Sequence, residues 1–202
     1  MPLNPILFGT NIQTAGIASG LLGTEFGRVA SALGDGICKS LLLPGILSAT
    51  LTGVSGVGVV SAVSPPIIVP PVLAADILLG MTSVGITGVA AAQEATAIAN
   101  GISMSMALAA VVGTCPTVST GGGTALLTNY PPSTLYSLLM ASATMYGLVG
   151  TEVSRKMDGL SKGISIGLMK MVAVPLVAVG PPIPPPPVGP VPSGGVGIVN
   201  FL

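Results

Sequence analysis

An apolar stripe recurs three times along the chain at helical spacing. Each copy begins with a Gly-x-x-Gly motif, at 20–23, 85–88 and 147–150. Counted from the second glycine, apolar residues stand 3, 7, 10, 14 and 18 positions further on, and polar residues stand off this stripe. Alternating steps of three and four residues predict an amphipathic helix after each motif. The stripe residues are Phe26, Ala30, Leu33, Ile37 and Leu41, then Ala91, Ala95, Ile98, Ile102 and Met106, then Val153, Met157, Leu160, Ile164 and Leu168.

Other residues recur at the same distances from the motif. A proline (Pro5, Pro70, Pro132) stands fifteen residues before the first glycine of each motif. A Gly-Ile pair follows the second glycine at position thirteen in every copy. Such constant intervals indicate an internal repeat. We divide the chain into three repeats, 1–66, 67–128 and 129–202.

Each repeat is interpreted as helix, tight turn, helix and long connector. The proline suits the first turn of a helix, where its missing N–H is unpaired anyway. The first glycine of each motif suits a left-handed residue that ends this helix, and Thr24 and Thr151 are predicted as N-caps of the second helix. A glycine inside a helix costs about 1 kcal/mol against alanine, so its retention before each Ile predicts close helix contact or a kink. The predicted packing positions are Gly20, Gly23, Ile37, Gly85, Gly88, Ile102, Gly147, Gly150 and Ile164.

The connectors 44–66, 111–132 and 172–202 are rich in Val, Gly, Thr and Pro and carry no charge. Their β-branched content favours extended strands, and the proline run 181–192 is typical of polyproline II. Long apolar arms are hard to leave in water, so we expect them to lie on a neighbouring subunit or repeat, including by addition to a sheet edge. The predicted fold class is therefore mostly α: three helical hairpins joined by extended apolar arms.

Composition changes the picture of the surface. Charged residues make up 6% of the chain and hydrophobic residues 50%, whereas ordinary domains carry about 25% charge. Such a surface is expected either in lipid or covered by other protein chains. The formal net charge is zero, which excludes the basic footprint of a nucleic-acid-binding protein.

Candidate chemistry is sparse. The chain has no His, and its carboxylates fall mostly on the second helices, where solvated or ion-paired faces explain them. Cys38 and Cys115 lack metal-ligand spacing, and both two reduced thiols and a single bridge are compatible with the sequence. We predict no catalytic, cofactor-binding or metal-binding residue, and no enzyme activity.

A multi-pass membrane protein is the alternative interpretation. Mean hydropathy is +0.91, and the stretches 40–75 and 95–151 contain no charged residue. However, Pro and Gly interrupt these stretches, and the first helix of each repeat is too short to cross a bilayer, which needs about 20 apolar residues. Most charges also lie in the second helices, the segments that would have to be inserted.

The alternation of short Ala/Ser-rich helices starting after MPLNP with charge-poor segments such as VVGTCPTVSTGGG resembles small virion structural proteins of contractile-tailed bacteriophages, found in baseplate, tail and neck. The resemblance implies an assembly subunit that is ordered by its neighbours and has no catalytic role. The expected partners are other structural proteins of the same assembly, including copies of this chain. The expected location is the virion, assembled in the host cytoplasm, with a membrane as the alternative.

Overall fold

The computed structural model describes residues 4–41, 47–54, 57–63, 68–108, 110–115, 124–128, 130–170, 177–179 and 195–199. Its helices are α1 (Pro5–Ala18), α2 (Thr24–Leu41), α3 (Pro70–Ser83), α4 (Val89–Ala107), α5 (Pro132–Met145) and α6 (Thr151–Lys170). The predicted mostly α fold is confirmed. The proline run 181–192, predicted as polyproline II, lies outside the described residues.

Local chemistry sets where the helices begin. Each of α1, α3 and α5 starts at a proline, and α1 is also capped by Asn4, whose side chain accepts hydrogen bonds from the amides of Ile6 at 2.9 Å and Leu7 at 3.2 Å. The prediction that Thr24 and Thr151 cap the second helices is wrong by one residue. Both are the first helical residues, and the carbonyl of Gly150 already accepts a helical hydrogen bond from the Ser154 amide at 3.1 Å.

The helices pack in a closed circuit, which we call the helix ring. Each helix contacts its neighbours in sequence, and α6 returns to contact α1. The predicted stripes face inward and merge with apolar residues of α1, α3 and α5 into one core. A single pair of helices could not cover the whole apolar surface of its own helices. The stripes are removed from water because the circuit of helices closes around them.

The described parts of the connectors contain six strands in one sheet. They are β1 (Leu47–Val54), β2 (Val57–Val63), β3 (Ala110–Cys115), β4 (Thr124–Thr128), β5 (Val177–Val179) and β6 (Gly195–Val199). Their order is β4-β3-β2-β1-β6-β5, and all neighbouring pairs are antiparallel. Strands from different connectors therefore pair with one another, at β2–β3 and at β1–β6.

Candidate functional site

The three Gly-x-x-Gly motifs form the same turn. In each turn the residue after the first glycine donates its amide across the end of the helix. Such a bond is the six-to-one hydrogen bond of a Schellman motif, which satisfies a carbonyl that the helix leaves free. These bonds run from Leu21 to Gly16, from Ile86 to Met81 and from Leu148 to Ala143, each at 2.9 Å.

Both glycines of every motif have positive φ. The first glycines, Gly20, Gly85 and Gly147, have φ of 87°, 82° and 75°. An L side chain is strained in this region, so the glycine requirement comes from the backbone. The second glycines, Gly23, Gly88 and Gly150, have φ of 120°, 104° and 120°.

The glycine that precedes each buried Ile lies at a close contact between two helices. A Cβ added there would meet the backbone of another helix, which no side-chain rotation can relieve. The helix continues through each of these glycines, and the close contact predicted there is present. A Cβ on Gly36 would lie 2.7 Å from Ile77 Cα, one on Gly101 3.0 Å from Leu139 Cα, and one on Gly163 would clash with Ile12 Cα.

These three contacts follow one rule. Each glycine on the second helix of a pair touches the first helix of the next pair, and the third glycine returns to α1. The neighbouring residues Ile37, Ile102 and Ile164 are fully buried. All predicted packing positions therefore lie either in the turns or at these contacts, which we call the ring joints.

Polar contacts differ from joint to joint. Between α2 and α3, the carboxylate of Asp76 accepts a hydrogen bond from Ser40 at 2.7 Å and pairs with Lys39 at 3.6 Å. Arg28 reaches the same joint from its other end and donates to the carbonyl of Val84. These contacts add specificity to a joint that the glycine alone would leave purely apolar.

The joint between α6 and α1 is centred on Asp158, which accepts from Ser19 at 2.7 Å and pairs with Lys162 at 2.5 Å. Burial raises the pKa of this carboxyl, but the hydrogen bonds from Lys162 and Ser19 and the charge of Lys162 outweigh burial and lower the pKa below its ordinary value. Asp158 is therefore ionised at neutral pH and stabilises this joint as an anion.

The joint between α4 and α5 uses neutral groups. Asn100 donates to the hydroxyl of Tyr146 at 2.9 Å, and Ser105 shares a buried hydrogen bond with the hydroxyl of Tyr130. Burial raises the pKa of Tyr130 well above its ordinary value, more than the hydrogen bond to Ser105 lowers it. A cleft of about 210 Å³ lies beside this pair and is lined largely by apolar groups, including Leu108.

The described residues offer little reactive chemistry. Cys38 is a free, buried thiol whose pKa is raised to about 12 by burial and by the nearby charge of Asp35, so it is protonated at neutral pH. Thiolate is the reactive form, and this thiol therefore packs as a small apolar side chain. Within the described ranges, no group of three or more His, Cys, Asp or Glu side chains could hold a metal ion.

One half-buried contact was missed by sequence reasoning. The Nζ of Lys156 on α6 lies 2.5 Å from Oε1 of Glu94 on α4, in an ion pair whose geometry is not that of a hydrogen bond. Both side chains are less than a quarter exposed. Glu94 and Lys156 both stand six residues after the second glycine of their motifs. Opposite charges at equivalent positions of two repeats are the sequence signal that could have revealed this pair.

Large apolar side chains are exposed beside the turns. Leu22, Val89, Met145 and Val149 all lie in a turn or at the helix ends that flank it. They come from all three helix pairs, and the exposed carboxylates of Glu25 and Glu152 lie at the same end of the ring. Single exposed apolar residues are ordinary on proteins.

Among the described helices, none combines the length and the apolar character that a bilayer crossing demands. Comparison with protein-family models, with curated proteins and with solved structures found no match.

Proposed function

We propose that this chain is a non-catalytic structural subunit of a tailed-phage virion, in the baseplate or tail. It holds neighbouring subunits, including copies of itself, through helix faces and extended arms. The proposal joins the resemblance of the sequence to virion proteins with the open edges of the sheet.

The sheet is the observation that carries the proposal. Within the described chain, β4 and β5 each pair with a neighbour on one side only. An open edge presents unpaired N–H and C=O groups, and another chain's strand can add to it. The connectors bear no charge, and charged side chains are a common means by which proteins protect such edges. An open, uncharged edge is therefore suited to permanent contact inside an assembly.

The non-catalytic role is supported by how the carboxylates are used. Five of the six acidic side chains form ion pairs with Lys or Arg, and the chain has no His to act as a general base. Three of these pairs lie within one helix and two join different helices, so ion pairing accounts for these carboxylates without a catalytic role. The paired residues are Glu25, Asp76, Glu94, Glu152 and Asp158.

Mass spectrometry of gradient-purified phage particles tests the location. We expect the chain in the particle at a constant ratio to the other structural proteins, and retained after a high-salt wash because the contacts are apolar. A chain missing from the particle contradicts the proposal. A chain that sediments with membranes and resists carbonate extraction supports the membrane interpretation instead.

Proline variants of β4 test the role of the sheet edge. Successive N–H groups of a strand point to opposite edges, so Ala125→Pro and Leu126→Pro remove donors on opposite sides. One of the two should reduce incorporation into the particle at least several-fold, with helical content and melting temperature unchanged. Normal incorporation of both variants would show that this edge does not hold the neighbouring subunit.

A further inference from the structure

The three ring joints use one packing device. Gly36, Gly101 and Gly163 occupy the same position in their helices, and each lies against the first helix of the next pair. Because the three joints are so similar, they do not determine which helix pair packs next to which in the ring. Equivalent elements from a second copy of the chain could enter the ring, as in domain swapping.

The ring joints are alike in the three helix pairs, but the residue six positions after the second glycine of the motif is different in each pair. This position holds Val29 on α2, Glu94 on α4 and Lys156 on α6. Val29 is buried, and Glu94 and Lys156 form the ion pair described above. This ion pair joins α4 to α6, which are not neighbours in the circuit of helices, so it spans the ring.

We infer that the Glu94–Lys156 ion pair specifies the composition of the ring, so that each ring contains one copy of each helix pair. A ring with two second pairs would bring two Glu94 carboxylates together, and a ring with two third pairs would bring two Lys156 ammonium groups together. Like charges at a site largely shielded from solvent are disfavoured, which makes the wrong rings unstable. The inference concerns a second copy of this chain and does not depend on the proposed function.

Burial distinguishes this ion pair from the others. The side chain of Lys39 is 58% exposed in its pair with Asp76, and the pairs of Arg28 and Arg155 lie on the surface. Exposed pairs are screened by salt and contribute little. The Glu94–Lys156 pair is screened least, so it discriminates most between correct and incorrect partners.

Charge reversal tests the inference. Glu94→Lys leaves two Lys side chains in the ring, and Lys156→Glu leaves two Glu side chains. After refolding from denaturant, we expect each variant to yield less than half of the unmodified chain's native species by native mass spectrometry. The double variant Glu94→Lys/Lys156→Glu restores opposite charges and should recover the native species. Glu25→Lys, which also reverses a charge but at an exposed site, is the matched control and should refold normally.

Mixing the two single variants gives the sharper result. If helix pairs exchange between chains, a ring can combine the second pair of the Glu94→Lys chain with the third pair of the Lys156→Glu chain, which restores opposite charges across the ring. Isotope labelling of one variant then reveals a heterodimer, in at least several-fold excess over the heterodimer formed by two unmodified chains refolded together. Native behaviour of both single variants, failure of the double variant to recover, or no heterodimer excess in the mixture would each overturn the inference.

Discussion

Helices α2 and α4 pack in the same way although their polar residues differ greatly. α2 carries Glu25 in its first turn and Lys39 in its last turn, whereas α4 has Glu94 as its single charged residue. Both helices nevertheless bury an Ile next to a glycine that touches the next pair. Favourable end charges contribute about 0.3–1 kcal/mol each at exposed positions, and burial of a stripe contributes several kcal/mol. The comparison shows that packing carries the fold and that the charges adjust it.

The apolar positions also compensate for one another between the pairs. The Phe26 ring on α2 fills the space beside Gly16, where no side chain would fit. The equivalent positions in the second pair hold Ala91 and Met81, both buried, with the small residue now on the second helix. Volume is conserved across the contact, as close-packed interiors require. Equivalent packing therefore does not require identical residues.

Truncating the buried Ile of each helix should have the largest effect. We expect Ile102→Ala and Ile164→Ala to lower the free energy of unfolding by about 2–5 kcal/mol each, because both side chains are fully buried. Urea denaturation measures this loss. Ile166→Ala, at an exposed position on α6, is the control and should cost much less. A small effect for Ile102 beside a large one for Ile164 would show that α4 packs more loosely than α6.

Adding one methyl group at a ring joint should be the next most damaging change. Gly36→Ala forces Cβ against the Ile77 backbone, and overpacking of this kind costs about 1–3 kcal/mol. Gly27→Ala on the same helix meets only the end of the Gln13 side chain, which can move. Because alanine favours helix, Gly27→Ala should instead stabilise by up to about 1 kcal/mol. Thermal melting of the two variants should therefore shift in opposite directions, and equal shifts would contradict the close contact.

Alanine in a turn should have a smaller effect, of purely conformational origin. Gly147 has positive φ and open space around its Cα, so Gly147→Ala should cost about 1–2 kcal/mol through backbone strain. Gly147→Asn should cost less, since Asn tolerates this conformation better. Equal melting temperatures for the Ala variant and the unmodified chain would show that the turn relaxes.

The smallest effect is expected at the polar contact that distinguishes the third pair. The folded-state pKa of Asp158 is lowered, so its stabilising effect is complete above the unfolded pKa of about 4 and is lost as pH falls through the lower folded value. The free energy of unfolding at pH 6 minus that at pH 3 should therefore be smaller in Asp158→Asn than in the unmodified chain. The second pair has Thr96 at the equivalent position, so Thr96→Ala should leave this difference unchanged.

Most helix boundaries could be predicted from the local sequence pattern. Helix starts at Pro5, Pro70 and Pro132 and helix ends at the first motif glycines depend on backbone chemistry within a few residues, which sequence displays directly. The N-cap prediction at Thr24 and Thr151 was wrong by one residue, because the second glycine of the motif is the residue that precedes the helix. Which residue occupies that position depends on the geometry of the turn. The pairing of strands between connectors was beyond prediction, since register depends on residues far apart in the chain.

The sequence by itself determined which faces are apolar, where the chain turns, and which glycines must remain small. Those properties follow from the period of the helix and the steric demands of single residues. Only the tertiary structure decided that each joint glycine meets the next pair, that α6 closes on α1, and that Glu94 finds Lys156. Each of these contacts joins residues that local pattern cannot relate, because a stripe specifies that it must be buried and not what will cover it.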